Sequence, residues 1–426
     1  MRNNGFPGKR SRKRSPIAQP VLMGAFMGVI SVSHGQSVLT PGPTFSATPP
    51  GVQADLETRE GYISTGQIGS ILSSPTSLFH WGPVQGHPHF NYGITYGTGI
   101  QSGPGVRNES LIQTLAPGIS FFLGKQWSLD YTPTLTYYSS QNLKSTLGHA
   151  VSLSGGAHYE DWLFSVSQSY SSSDNPNVQT GTQAETSSYV TALSADYAFN
   201  SKYSLDSTFS QTINQSANYN NSTSWTLAEF LNYQFFPRLT AGVGTTIGYD
   251  QLSQGSDDWN EALQLRLNWR TFDWLSLSVH GGAEDRQYVT GNLAQNITPI
   301  FGADITAKLA PFTSVTLSGS RSISPSLLNN QSTIVTTTSL ALTQRLLGAL
   351  NFNSSLTYTL DEYQATESIL SVNRTDTLYA FNAGLSYSFL KSAYVSGSYS
   401  YSKNNSSATG FNYISSQVGL NVGYRF

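Results

Sequence analysis

The last ten residues, Gln417-Val-Gly-Leu-Asn-Val-Gly-Tyr-Arg-Phe426, decide the fold predicted for this chain. Apolar residues alternate here with small or polar ones. A period of two places neighbouring side chains on opposite faces of a β-strand, so the stretch predicts a strand with one apolar face. Because the printed sequence stops at Phe426, we expect the strand's open edge to pair with the first strand of a closed barrel. The alternative is an ordinary last strand of a soluble sandwich.

The composition favours strands and turns. The chain has 426 residues, no Cys, 11% charged and 12% aromatic residues, and its 24 Tyr and 21 Phe far outnumber its 3 Met. Aromatic residues favour strands, and the abundant Ser, Asn and Gly favour turns. The absence of Cys excludes a disulfide framework, a Cys metal site and a lipoprotein anchor. Past the N-terminus no apolar run approaches the ~20 residues of a membrane helix, but a barrel needs only alternate residues to face lipid.

Residues 1–35 have the pattern of a secretory signal peptide. Six basic residues precede an apolar run from Val21 to Val32, and Ser33-His34-Gly35 supplies a small-residue cleavage site. Removing them leaves 22 − 6 = 16 Lys and Arg against 24 Asp and Glu. A net charge of 16 − 24 = −8 argues against nucleic acid as a partner.

Residues 36–89 are rich in Pro and Gly, which predicts an irregular segment, either periplasmic or plugging the barrel lumen. The segment includes His80, His87 and His89. A His-x-His pair can bind a metal, but no further ligand lies near it in the sequence. We therefore expect these histidines to lie in a polar loop, and we predict no metal site.

From Phe90 to Phe426 the sequence repeats a unit of two strands. Short turns recur at 123–126, 159–161, 200–202, 236–238, 271–273, 310–313, 347–349 and 390–392, and longer polar loops lie between them. Eight turns that each bring two strands, with one strand before and one after, give 1 + 8 × 2 + 1 = 18 strands; sixteen is the alternative. Many of these strands are longer than the five or six residues typical of globular proteins, and a tilted membrane strand needs ~9–11. We therefore predict an all-β fold, a transmembrane antiparallel up-and-down barrel. A β-propeller uses four short strands per blade and fits less well.

The polar face of such strands lines the lumen. The pore-lining candidates are Arg266, Arg270, His280, Glu284, Asp304, Lys308 and Arg345. Their charges either set a transverse field in the pore or pair across neighbouring strands to hold the register. Glu229 conflicts with this pattern, because it shares the lipid face with Leu227 and Leu231. We expect a bulge near Glu229 or a depth close to the membrane interface.

Catalytic chemistry is poorly supported. The predicted barrel contains only His149, His158 and His280, without the neighbouring base and orienting group that a nucleophilic Ser requires. The acidic pairs Asp257-Asp258 and Asp361-Glu362 are expected in outer loops as solvated charge. We predict no catalytic residues and no cofactor.

The C-terminal strand resembles the recognition strand of bacterial outer-membrane β-barrel proteins. The resemblance implies that Val418, Leu420, Val422, Tyr424 and Phe426 are read by the barrel assembly machinery. The segments 115–120 and 123–133 look like hairpins of the putative β-barrel porin families, and the resemblance covers residues 90–426. It implies residence in the outer membrane, contact with its lipids, and delivery by periplasmic chaperones.

The expected function is a porin-like passive channel for small polar solutes. The alternative is a non-conducting structural or adhesive barrel, or a component of polysaccharide export, whose bore is closed. An outer-membrane hydrolase is the third possibility. The sequence does not specify an oligomeric state.

Overall fold

A computed structural model describes residues 79–124, 126–290, 296–366, 374–390 and 392–426. The expected signal peptide and residues 36–78 of the expected N-terminal segment lie outside the described residues. Among the residues described, no helix is long and apolar enough to cross a membrane.

The described chain forms strands throughout. They are β1 (Phe79–Trp81), β2 (Val84–Gly103), β3 (Val106–Leu123), β4 (Trp127–Tyr138), β5 (Thr146–Tyr159), β6 (Trp162–Ser173), β7 (Thr186–Ala198), β8 (Tyr203–Ser216), β9 (Ser222–Phe236), β10 (Leu239–Leu252), β11 (Asp258–Phe272), β12 (Leu275–Tyr288), β13 (Asn296–Ala310), β14 (Thr313–Pro325), β15 (Gln331–Arg345), β16 (Leu350–Ala365), β17 (Thr375–Ser388), β18 (Ala393–Ser406) and β19 (Tyr413–Arg425).

Strands β2 to β19 close into an antiparallel barrel in sequence order. Each strand pairs with its neighbours in the chain, and β19 pairs with β2, with Tyr424 opposite Phe90. This pairing removes both sheet edges, as the C-terminal stretch predicts. The barrel has 19 − 1 = 18 strands, because β1 pairs only with the start of β2 within the described chain. The predicted fold class and the count of eighteen are therefore confirmed.

The barrel wall begins before Phe90, the residue at which the sequence suggested that it starts. Strand β2 starts at Val84 and includes Pro88. Pro88 lies opposite Ile119 of β3, but its backbone groups point toward β19, whose pairing with β2 ends at Arg425 opposite His89, so no ladder bond is lost to the missing N–H. The Pro88 carbonyl instead accepts a hydrogen bond from the Phe426 amide at 2.9 Å. The expected polar loop at His87 and His89 is thus a strand.

The two faces of the wall differ as the alternation predicts. On β11, Leu263 is 62% exposed and Leu265 is 65% exposed, whereas Gln264 between them is 4% exposed. The apolar side chains therefore point outward, and the polar side chains point into the bore. Such an outward apolar belt is the surface that a membrane-spanning barrel presents to lipid.

Aromatic side chains gather at both ends of the belt. Near the longer loops, Tyr249 lies between Trp225 and Trp259, with ring centroids 5.9 and 4.8 Å apart. Near the short turns, Tyr203 and Tyr233 lie 4.8 Å apart. Two such bands are typical of the interfacial girdles of membrane barrels. The short turns and the C-terminus share one end, and the longer loops share the other, which we call the outer mouth.

Glu229 lies on the outer face at the middle of β9, and the expectation of a nearby bulge is wrong. Its pairing with Thr245 and Ser207 is regular, and the register shifts only at Leu239/Thr240 beside the short turn. The predicted register is therefore right, and the carboxylate faces the lipid belt. At the bilayer midplane a basic residue on this face costs roughly 2–4 kcal/mol, and an acidic residue costs less.

Candidate functional site

The candidate functional site is the polar bore of the barrel. On the wall from β14 to β18, serine and asparagine side chains face inward and bond to one another across strands. Ser318 and Ser339 join through their Oγ atoms at 2.6 Å, and Asn382 donates to Ser355 at 3.4 Å. Below the outer mouth this wall offers neutral hydroxyl and amide groups to solutes.

The opposite wall carries charge at mid-height, centred on Arg266. Its guanidinium ion-pairs with Asp206 on β8 and donates from Nε to Asn232 Oδ1 on β9 at 2.7 Å. The arginine can reach over β10 because Gly242 lies opposite it, where a Cβ would come within 3.2 Å of Nε. The guanidinium also lies 4.4 Å from the Phe230 ring centroid. The neighbouring strand β12 places His280 opposite Arg266.

His280 lies over Gly302 on β13, where a Cβ would approach the imidazole Cε1 to 2.1 Å. Asp304 is on the same inward face of β13 and is exposed to the bore. Arg270, Lys308 and Arg345 are exposed at the rim beside the short turns. The structure therefore divides six of the seven pore-lining candidates between the middle of the bore and the inner rim.

A buried ionic cluster lies closer to the outer mouth. Arg286 contacts Asp250 at 3.1 Å, Asp258 at 3.0 Å and Glu284 at 2.8 Å. Sequence reasoning missed Arg286, although its spacing of two from Glu284 on one strand places both on the same face. Two arrangements were expected for these charges, a transverse field in the pore and pairing across neighbouring strands. Neither describes them fully, because Arg266 pairs with a residue three strands away and Glu284 pairs within its own strand.

The outer mouth is crossed by residues 174–185, which connect β6 to β7 and which we call the crossing segment. At its tip the Gly181 amide donates to the Asn177 carbonyl at 2.8 Å, and the Asn177 amide donates to the Thr182 carbonyl at 2.9 Å. Gly181 has φ 66°, which glycine adopts without steric cost. The side chains of Asn177, Val178 and Gln179 are each at most 2% exposed. The tip is thus a tight turn packed inside the barrel.

The far wall holds this tip through Arg374. The guanidinium donates to the Gln179 carbonyl at 2.8 Å and to the Val178 carbonyl at 3.3 Å. It lies between two aromatic rings, with centroids 4.6 Å away at Tyr363 and 3.7 Å away at Phe411. The Gln179 side chain also accepts a bond from the Leu327 amide at 3.2 Å. Strands β7 and β17 lie on nearly opposite sides of the barrel, so the segment spans the bore.

The expected acidic loop pairs are not loop pairs. Asp258 is the first residue of β11 and is buried with Arg286, whereas Asp257 is in the preceding loop. Asp361 and Glu362 both lie in β16, where alternation directs them to opposite faces. Glu362 pairs with Arg321 on the outside at 3.2 Å. Within the described ranges, no group of three or more His, Asp or Glu side chains is placed to hold a metal ion.

Two histidines of the expected N-terminal segment lie in β2, the strand that closes the barrel with β19. His87 Nδ1 lies 3.2 Å from the Phe426 carbonyl oxygen, and His89 Nε2 lies 2.9 Å from Thr132 Oγ1. His89 also faces Asp130 at 3.8 Å. His87 therefore bonds across the closing seam, whereas the His89 side chain links β2 to β4 at the short-turn end.

Residues 237–426 match the family described as "Putative beta-barrel porin 2". No curated protein matches the chain. Among solved structures, OpdL of Pseudomonas aeruginosa is 14% identical with a TM-score of 0.43, covering 80% of this chain and 98% of that one. OccK2 (OpdF) of the same organism, in complex with glucuronate, is 11% identical with a TM-score of 0.45 and the same two coverages. OccAB4 of Acinetobacter baumannii is 13% identical with a TM-score of 0.43, again covering 80% and 98%. Identities and TM-scores at this level show neither a shared substrate nor a shared mechanism.

The family match covers all ten strands from β10 to β19, and β2 to β9 continue the same closed wall. The wall has an apolar outer face, aromatic bands at both ends and a polar bore. These features together identify the chain as an outer-membrane β-barrel protein, of which residues 237–426 match the family described as "Putative beta-barrel porin 2".

Proposed function

We propose that the protein is a passive channel for small polar solutes, narrowed at its outer mouth by the crossing segment. The observation that carries this proposal is the polar bore, in which neutral hydroxyl and amide groups face a charged wall. An eighteen-stranded barrel is wide enough for an aqueous path unless something fills it. Weak hydrogen-bonding groups let a solute enter and leave without tight binding.

The charges near the outer mouth favour cations over anions. The bore there carries the carboxylates of Asp250, Asp258, Glu284, Asp361 and Asp376. Against these five stand the guanidinium groups of Arg286 and Arg374 among the described residues. An excess of one sign in a low-dielectric constriction raises the local concentration of the opposite ion. We infer a weak preference for cationic and neutral solutes.

Solute entry into proteoliposomes tests this function. Liposomes that contain the refolded chain are diluted into isotonic solutions of neutral, cationic and anionic solutes of matched size. Swelling in neutral and cationic solutes, and slower swelling in anionic ones, is the expected result. No swelling in any solute, with heat-modifiable gel migration showing a folded barrel, would contradict the channel.

A closed structural barrel is the second candidate, because the outer mouth is packed. Gln101, Ser256, Thr333 and Thr366 are all 0% exposed there. A barrel closed in this way would serve adhesion or the architecture of the envelope, or part of polysaccharide export. An absence of permeation in both the wild type and a variant without the crossing segment would favour this function.

Delivery and assembly of the chain involve two kinds of partner. We infer that periplasmic chaperones deliver the chain and that the assembly machinery reads Val418, Leu420, Val422, Tyr424 and Phe426. All five point outward from β19 or the chain end beyond it, where a receptor strand can contact them.

We propose no enzymatic activity, since the bore offers positioning and charge rather than an activated nucleophile.

A further inference from the structure

Glu229 is a carboxylate that lies on the outer face of the barrel and not in the bore. It lies at the middle of β9 on the lipid-facing side, between Leu227 and Leu231. Its paired neighbours Ser207 and Thr245 are small, and no hydrogen bond or ion pair links its side chain to any other described residue. Ionisable residues inside a membrane are costly and usually have a partner. The position therefore calls for a group from outside the barrel.

A hydrogen-bond donor lies on the same outer face, three strands away. Thr191 on β7 donates to Gln168 Oε1 on β6 at 2.6 Å. This bond occupies the acceptor oxygen of the Gln168 amide and leaves its Nε2 donor without a partner among the described residues. Gln168 Nε2 is the complement that the Glu229 carboxylate lacks.

The register shows how the membrane depth of paired residues changes from one strand to the next. Strand β8 begins at Tyr203 beside a short turn, but Tyr203 pairs with Tyr233 and not with Phe236, where β9 ends. Because the short turns mark one membrane interface, each residue lies closer to the outer mouth than its paired residue on the preceding strand. The paired residues on β8, β7 and β6 therefore lie progressively farther from the outer mouth than the residue on β9 from which the series starts.

Gln168 and Glu229 lie at the same depth. With strands tilted by roughly 40° and about 4.8 Å apart, a step to a paired residue changes depth by about 3 Å, and a step along a strand by about 2.5 Å. From Trp225, the paired residues Gln211, Thr191 and Gln168 descend about 9 Å in total. Along β9, Glu229 lies about 10 Å below Trp225.

Two apolar side chains separate the donor from the acceptor at this depth. Leu193 on β7 pairs with Phe209 on β8, and both are exposed on the outer face. The row across β6, β7, β8 and β9 thus reads donor, apolar, apolar, acceptor. A two-fold axis along the membrane normal, placed between Leu193 and Phe209, brings the donor of each copy opposite the acceptor of the other copy. An isologous interface requires this self-complementarity.

We propose that the outer face of β6–β9 binds a second copy of this chain, in a two-fold dimer in which Glu229 of each protomer accepts a hydrogen bond from Gln168 of its partner. Leu193 and Phe209 pack against their copies at the axis. The occupant is a second copy because the row carries both a donor and an acceptor at one depth, so that two copies satisfy each other. The dimer does not depend on whether the bore conducts.

Site-specific crosslinking tests the location of the interface. Since the chain contains no Cys, Phe209→Cys places a single thiol beside the proposed axis. The matched control, Leu356→Cys, places one on the outer face of β16, on the far side of the barrel. Oxidation of native outer membranes should give a disulfide dimer with Phe209→Cys and little or none with Leu356→Cys. Equal yields from the two variants, or capture of a different protein at position 209, would overturn the proposal.

A swap of the paired groups tests the contact itself. Gln168→Glu places two carboxylates together and should weaken the dimer at least ten-fold in sedimentation measurements in detergent, as should Glu229→Leu. Combining Gln168→Glu with Glu229→Gln restores one donor and one acceptor and should recover the dimer. Heat-modifiable gel migration shows that each barrel is folded. A monomeric wild type, or a dimer that neither single variant weakens, would overturn the proposal.

Discussion

Arg374 donates from Nη1 to the carbonyl oxygen of Gln179 at 2.8 Å, across the bore and 195 positions along the sequence. This contact ties the crossing segment to the wall opposite its origin. A buried charge–carbonyl bond of this kind contributes about 1.5–3 kcal/mol. The outer mouth is therefore held narrow by a small number of directional bonds.

Replacing Arg374 by Ala should loosen the crossing segment. The variant loses both carbonyl bonds and the stacking on Phe411, and Asp376 loses the guanidinium 2.5 Å away. Proteoliposomes with Arg374→Ala should swell several-fold faster in a small neutral sugar than those with wild type. Arg238→Ala, in an exposed short turn, is the control and should match wild type. A swelling rate unchanged by Arg374→Ala would show that this contact does not limit passage.

Removing Arg286 should destabilise the barrel strongly. Three carboxylates surround this buried guanidinium, and breaking a buried ion pair costs about 3–5 kcal/mol. The matched control is Arg238→Ala, because Arg238 pairs with Asp273 at 2.9 Å in an exposed short turn. Exposed pairs contribute about 0–1 kcal/mol. Urea unfolding of Arg286→Leu and Arg238→Ala in lipid vesicles compares the two free energies, and equal losses would refute the buried cluster.

Reversing the charge at Asp304 should change ion selectivity. Asp304 is exposed to the bore at mid-height, so Asp304→Lys replaces a cation-attracting group by an anion-attracting one. The reversal potential in a salt gradient should shift toward anions by about two-fold in permeability ratio, since exposed charges are strongly screened. Asp161→Asn, in an exposed short turn, should leave the ratio unchanged. An unchanged ratio in Asp304→Lys would remove this wall from the conduction path.

Shortening the terminal side chain should impair assembly more than stability. Phe426→Ala leaves the Phe426 backbone bond to Pro88 in place but removes a side chain packed 4.5 Å from the Tyr424 ring centroid. The variant should accumulate several-fold less in the outer membrane of cells, while its refolding yield in detergent stays near that of wild type. Normal accumulation in cells would argue against the role of the terminal strand as a recognition signal.

The architecture was predictable because alternation and turn spacing are local signals. The period of two around Leu263 and the regularly recurring short turns are visible residue by residue, and the period of two fixes which face a side chain occupies. The start of the wall at Val84 was not predictable, because Pro88 indicates a break unless the neighbouring strand is known to end there.

The lumen was less predictable because its contacts join distant positions. Arg266 reaches Asp206 only because β10 presents Gly242 between them, and Arg374 reaches Gln179 only because the barrel closes. Alternation places these residues on the inner face without naming their partners. Glu229 shows the converse, since its conflict with the pattern was visible in the sequence and is real in the fold.

Single-channel recording in a planar bilayer tests the central claim, a water-filled path through the barrel. The refolded protein should give steady, ohmic conductance steps, with a reversal potential that shows a weak cation preference. A folded barrel, shown by heat-modifiable gel migration, that gives no steps at any voltage would contradict the channel and leave a closed structural barrel.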